Sequence, residues 1–322
     1  MASQRTAPNS PTALGKRTWF ATVKRTAKEF SNDNLTDWAA ALTYYAVLSI
    51  FPALIAMMSI LGLVVDPATI TRVITDVVSQ LGPQSAVDTF TGPLEEISKN
   101  QETAFVGLIV GVTLAIWTAS NYVGAFMRAS NAVYEREEGR PFWKLKPLQL
   151  LVTLVLVLLA AAVVVALIVS GPVAEAIGSA IGLGDTAVTV WQIGKWPVML
   201  LVVMVMLAIL YWSAPNAKPA GLRWVSPGSV VAVAVWILAS IAFAIYVAEF
   251  ASYNKTYGAL GGVIVFLVWL WITNIAILLG AELNAETERS REIAVGVPGA
   301  DEEIKAPYRS EPKSERESAA RS

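Results

Sequence analysis

From Thr256 to Ala281 the chain reads TYGALGGVIVFLVWLWITNIAILLGA, with no charge between Lys255 and Glu282. A helix needs about 20 apolar residues to cross the roughly 30 Å hydrocarbon core of a bilayer, so this run is long enough to span with some tilt. Each central Leu, Ile, Val or Phe favours insertion by a few tenths of a kcal/mol. No Asp, Lys or Arg, at about +2.5 to +3.5 kcal/mol each, opposes them. The other apolar runs have the same character, so the chain reads as a polytopic membrane protein.

Composition agrees. Hydrophobic residues are 55% of the chain and charged residues 15%, against about 25% charged in soluble domains. The net charge of −1 argues against a nucleic-acid binder with a broad basic face. There is no Cys, hence no disulfide or thiolate chemistry, and no His, the commonest general base and metal ligand. The first apolar run begins near Trp38, too far in and too long for the core of a cleavable signal peptide.

Residues 1–15, rich in Ser, Thr, Pro and Ala, read as a disordered tail. In residues 16–33, Trp19, Phe20, Val23, Ala27 and Phe30 recur at helical spacing among Lys16, Arg17, Lys24, Arg25 and Lys28. That pattern predicts an amphipathic interfacial helix on an anionic leaflet, or a helix packed on the protein's own cytoplasmic end. Six spans follow, at about 38–65, 104–132, 148–170, 191–212, 226–249 and 257–282, which with their connections make a transmembrane domain over 34–285. Pro52 should kink the first span. Between the first two, Ile70, Val73, Ile74, Val77, Val78 and Leu81 predict an amphipathic helix within a small extracytoplasmic helical cap over 67–100. Trp191, Trp196, Tyr211 and Trp212 are interface anchors. Residues 286–322 read as a disordered cytoplasmic tail, with room for a helical extension of the last span before it.

Six crossings put both termini on one side. The N-terminal segment, the 134–147 loop, the 213–224 loop and the C-terminal tail carry 6, 4, 2 and 7 basic residues. The opposite segments carry Arg72 and Lys99, then Lys195, then Lys255. The positive-inside rule therefore predicts a bacterial cytoplasmic membrane protein with both termini cytoplasmic.

No HExxH, P-loop, GxSxG or metal spacing occurs, so no catalytic residue, cofactor or metal is assigned. The GALGG run at 258–262 follows no strand and reads as helix packing rather than a phosphate loop. Polar groups in hydrocarbon are more informative, because they cost free energy and normally face a partner or cavity. Asn121 and Arg128 lie seven apart on one face of the second span, and Asn131 continues it. Arg128 either snorkels to the interface or pairs with Glu282 near the same end of the last span. With Tyr44 they form a candidate cavity set. Glu175, Glu249, Tyr253 and Tyr257 form a candidate outer-face set, whose alternative is an aromatic belt.

Several segments carry a family likeness: ALTYYAVLSIFPAL, RASNAVYE, SGPVAEAIG, YWSAPNAK and YNKTYGALGGVIVFLVWLWITNIAILLGAELNAE. Across roughly residues 30–286 the chain resembles the YihY/BrkB family of bacterial inner-membrane proteins. The resemblance implies an all-α, six-helix membrane protein, linked in relatives to virulence and to movement of a lipid or other envelope component. Its motif positions here include Tyr44, Tyr45, Pro52, Asn131, Asn216, Trp269, Gly280, Glu282 and Asn284, none with a catalytic role. An older ribonuclease label in that family fits poorly with a chain lacking His and Cys. The expected function is a transporter or flippase-like protein, with a non-transporting envelope scaffold as the alternative. Expected partners are membrane lipids, a lipid or envelope substrate and a second copy of the chain, with no nucleic acid.

Overall fold

The computed structural model describes residues 10–64, 101–168, 185–219, 221–249 and 259–312. Seven α-helices lie among them: α1 (Lys16–Asn32), α2 (Leu35–Val64), α3 (Gln101–Val133), α4 (Phe142–Ile168), α5 (Asp185–Ser213), α6 (Leu222–Glu249) and α7 (Ala259–Val295). Five of them contain segments long and apolar enough to cross a bilayer: Phe105–Val133, Phe142–Val164, Val188–Ser213, Pro227–Ala248 and Gly261–Val295. The architecture is that of an all-α polytopic membrane protein. The expected cap over 67–100 lies outside the described residues.

Backbone chemistry sets the joints. Asn34 adopts φ 51°, a left-handed conformation that Asn tolerates better than most residues, and separates α1 from α2. Pro52, Pro147, Pro197 and Pro227 each sit inside a helix. Packed neighbours in a membrane bundle can accommodate the backbone groups they leave free. α2 packs along α3, and α6 along α7.

The core lies at the end of the bundle that carries both described termini. Leu35, Phe126, Tyr211, Leu278 and Ile304 are buried there together with Val133, Tyr134 and Ala214. The same helices are exposed farther along: Phe105 and Ile109 on α3, Val190 and Ile193 on α5, Leu238 and Ile245 on α6, and Val263 and Ile264 on α7.

The two terminal segments differ from the sequence reading. Pro11 is buried, and its carbonyl accepts a hydrogen bond from the Trp19 indole at 3.2 Å. α7 runs 13 residues past the expected end of the last span, to Val295. Gly296 and Gly299, at φ 81° and 73°, then turn the chain back. Residues 300–312 settle against the loops, with an antiparallel bridge between Ala217 and Tyr308. The tail up to residue 312 is therefore ordered rather than disordered. Glu303 meets Arg136 and Lys305, Arg309 donates to the Ala217 and Trp212 carbonyls, and Ala300, Ile304 and Ala306 are buried.

α1 turns its polar side, not its apolar stripe, toward the protein. The Thr22 and Ser290 hydroxyls lie 2.7 Å apart, and Arg25 reaches Glu286 at 2.6 Å. Phe20 and Val23 are exposed. In the GALGG run, a Cβ on Gly262 would meet nothing within 4 Å, so close packing does not explain that glycine.

Candidate functional site

Three polar groupings stand out, two of them inside the helix bundle. The first joins α2, α3 and α7. The Tyr122 hydroxyl donates to Asn274 Oδ1 at 2.8 Å, and Asn274 Nδ2 donates to Thr43 Oγ1 at 3.0 Å. The Thr43 hydroxyl donates in turn to the Ala39 carbonyl at 2.8 Å. Every donor finds an acceptor, which is what makes a buried polar chain tolerable where water is absent. Asn274 is 3% exposed.

The second grouping ties the loops together at the terminal end. Asn131 Nδ2 donates to Glu138 at 3.0 Å, and its Oδ1 accepts the Asn216 backbone N–H at 2.7 Å. Asn216 Nδ2 donates to the Glu137 and Ser310 carbonyls, both at 2.8 Å. Arg140 clasps Glu138 at 2.7 Å and donates to the Ala214 carbonyl at 2.8 Å. Burial alone would raise the Glu138 carboxyl. The Arg140 hydrogen bonds and charge, aided by Asn131, outweigh burial and hold it below the ordinary carboxylate value. One turn of chain away, Glu135 receives Arg289 at 2.7 Å and the Ile304 N–H at 3.0 Å. Arg136 caps the tail carbonyls of Ile304 and Ala306. Two asparagines and three arginines thus bind both loops, α7 and the tail into one lock.

Beside the lock lies a buried acidic corner. Glu282 is 1% exposed. Its neighbour is Asp33, at the α1–α2 joint, whose carboxyl lies beside it. Burial, then the charges of Glu29 and Glu135, push Asp33 up to about 6. Glu286 is matched by Arg25 at 2.6 Å and Arg289 at 3.2 Å. The expected Arg128–Glu282 ion pair does not form. Arg128 is exposed on α3 while Glu282 is enclosed.

The third grouping lies where α3 meets α4. Lys146 donates to Ser120 Oγ at 2.7 Å and to Asn121 Oδ1 at 3.3 Å, and lies 4.2 Å from the centre of the Trp117 ring.

The residues singled out from the sequence therefore have separate settings. Asn131 belongs to the lock, Glu282 to the acidic corner, and Asn121 to the Lys146 site. Tyr44 is 61% exposed and sits edge-on to Tyr45, with ring centres 5.4 Å apart. Glu249 closes α6, but its side chain, Glu175, Tyr253 and Tyr257 lie outside the described residues. Sequence reasoning passed over Asn274, Tyr122, Lys146 and Asp33. An amide at 274 in an otherwise apolar run was the one usable signal; the other three needed their partners in view.

The model of the family described as Virulence factor BrkB matches residues 26–303. The chain belongs to the BrkB family. The BrkB match takes in Asn131, Asn216, Asn274 and Glu282 and stops short of the buried Ile304. Among BrkB-like relatives, the ribonuclease-like protein YfkH of Bacillus subtilis is 31% identical over 255 residues, covering 79% of this chain and 90% of YfkH. A UPF0761 membrane protein of Aggregatibacter aphrophilus is 24% identical over 260 residues, covering 80% and 88%. A UPF0761 membrane protein of Aeromonas salmonicida is 25% identical over 264 residues, covering 80% and 85%. No solved structure matches.

Proposed function

We propose that this BrkB-family protein is a transporter of the flippase type. It moves a lipid or another envelope component across the bacterial cytoplasmic membrane, with both termini cytoplasmic. The observation that carries the reading is the contrast along single helices. α3 is buried at Val123, Phe126 and Met127 and exposed at Phe105, Val106 and Ile109. α5 is buried at Leu210 and Tyr211 and exposed at Val190, Ile193 and Val198. Among the described residues the bundle is tightly packed at one end and presents apolar side chains outward along the rest, and packing concentrated at one end is what one state of an alternating-access cycle requires.

The seal at the packed end combines its apolar core with the hydrogen bonds and ion pairs of the lock, and the polar contacts exchange partners at lower cost than interlocked apolar side chains. The interior chain Thr43–Asn274–Tyr122 supplies polar groups where a headgroup would pass. A non-transporting envelope scaffold is the second reading. The ordered tail over 300–312 favours it, because a folded surface outside the bundle is available for a partner.

The test is reconstitution of the full chain into liposomes, with a fluorescent-lipid scrambling assay beside a solute-uptake panel. Transport reads positive for the wild-type protein and changes by several-fold for Asn131→Ala and Glu138→Gln, which loosen the seal. Folded wild-type protein inactive in both assays, with both variants equally silent, would overturn the proposal and leave the scaffold reading.

A further inference from the structure

Lys146 carries a charge with nothing to neutralise it. Its ammonium donates to Ser120 Oγ at 2.7 Å and to Asn121 Oδ1 at 3.3 Å, and rests 4.2 Å from the Trp117 ring centre. A hydroxyl, an amide oxygen and an indole face solvate an ammonium, but none of them is an anion. Among the described residues no carboxylate lies within ion-pair distance of it. By contrast, Arg25, Arg136, Arg140, Arg289 and Arg291 all pair with carboxylates. Lys146 is only partly exposed, near the start of α4, where an anion can reach it from outside the bundle.

The surroundings specify the missing anion. Lys146 lies in the second turn of α4, and Trp143 and Phe142 just before it are 74% and 72% exposed. Trp117 is half exposed on α3. Aromatic rings of this kind sit at headgroup level in bilayers, and lysine binds phosphate as a point charge. Ser120 is fully buried, and its hydroxyl oxygen holds the ammonium at 2.7 Å. A phosphate alone would leave the adjacent rings uncovered, whereas a phospholipid places its diester on the ammonium and its acyl chains along them.

We infer that Lys146, Ser120, Asn121 and Trp117 form a binding site for the phosphodiester of an anionic membrane phospholipid, with its chains laid on the exposed aromatic face of α3 and α4. The inference extends the transport reading by naming a headgroup. Its test reads binding without transport, so either can fail alone.

The experiment uses the full-length protein in mixed micelles holding equal amounts of phosphatidylglycerol and phosphatidylcholine, with bound lipid counted by native mass spectrometry. The wild-type protein retains phosphatidylglycerol preferentially. Lys146→Gln reduces the preference by at least about fivefold, the effect of one lysine near an anionic surface. Lys146→Arg keeps it, and Lys28→Gln, an equal charge change on exposed α1, leaves it intact. Where Lys146→Gln does not fold, phosphatidylglycerol brominated in its acyl chains serves instead. It quenches wild-type tryptophan fluorescence more than that of Trp117→Phe. The proposal is overturned if Lys146→Gln keeps the preference, if Lys28→Gln loses as much, or if brominated lipid quenches both proteins alike. Displacement of the lipid by millimolar inorganic phosphate would also overturn it, in favour of a free-anion site.

Discussion

Gly228 and Gly280 face each other so closely that a Cβ on Gly228 would lie 2.1 Å from the Gly280 carbonyl oxygen. A Cβ on Gly280 would lie 2.5 Å from both the Gly228 carbonyl oxygen and the Tyr211 hydroxyl. That hydroxyl donates to the Ile277 carbonyl at 2.7 Å, and Asn284 Oδ1 accepts the Gly228 N–H at 2.9 Å. Small residues let two membrane helices approach backbone to backbone, and polar side chains then fasten the crossing.

Adding a methyl at this crossing has little room to be absorbed. Gly228→Ala and Gly280→Ala should each destabilise the protein by about 1–3 kcal/mol, the usual range for overpacking. Gly262→Ala, whose Cβ would meet nothing within 4 Å, should not. Intrinsic-fluorescence melting curves in detergent check the contrast; equal effects at all three positions would refute it.

The polar chain across α2, α3 and α7 ties these helices together in register. Tyr122→Phe removes one donor and should cost about 0.5–1.5 kcal/mol. Asn274→Leu removes the shared centre and should cost more, because it strands the Tyr122 hydroxyl and deprives the Thr43 oxygen of its donor. A double-mutant cycle of Tyr122→Phe with Asn274→Leu should show coupling, since the two side chains share one bond. Strict additivity would mean the bond contributes nothing.

The folded tail should matter to the whole. Ile304→Ala deletes a fully buried side chain against the 135–136 loop and should cost about 2–4 kcal/mol. Ending the chain after Val295 should lower the melting temperature and open the 134–140 loop to protease. Protection up to residue 312 in limited proteolysis of the intact protein, lost in Ile304→Ala, is the expected pattern.

Asp33 and Glu138 should give pH dependences of opposite sign. Burial pushes Asp33 up to about 6, above the ordinary aspartate value of 3.8, so its contribution is present below that lower value and is lost as pH rises through about 6. Asp33→Asn should abolish this loss and be the more stable protein at pH 7.5. Glu138 is held low, so its contribution is present at neutral pH and is lost as pH falls through its lowered value. Glu138→Gln should therefore weaken the protein at pH 7 and narrow its gap to the wild type in acid. Melting temperatures across pH 3.5–8 decide both signs.

The helices were legible because a bilayer makes simple demands. Long uncharged runs must be helical where no water can satisfy the backbone, and the expected 104–132 and 226–249 correspond to Gln101–Val133 and Leu222–Glu249. The tail was illegible because charge density, read one residue at a time, looks the same in a solvated coil and in a mutually paired fold. Arg136, Glu135 and Arg289 show that difference only when Ile304 and Ala306 are beside them.

Sequence alone determined the solvent of this protein, and with it the helical class, the long apolar runs and the family. It also marked Asn121, Asn131 and Glu282 as polar groups in unusual places. Which partner each one meets was decided only by the tertiary structure: Lys146 for Asn121, Asn216 and Glu138 for Asn131, Asp33 rather than Arg128 for Glu282. The physical reason is that hydrophobic transfer depends on what a residue is, and can be summed along a chain. Hydrogen bonds and ion pairs depend on separations of about 3 Å between side chains that are distant in sequence, and only the packed helices set those separations.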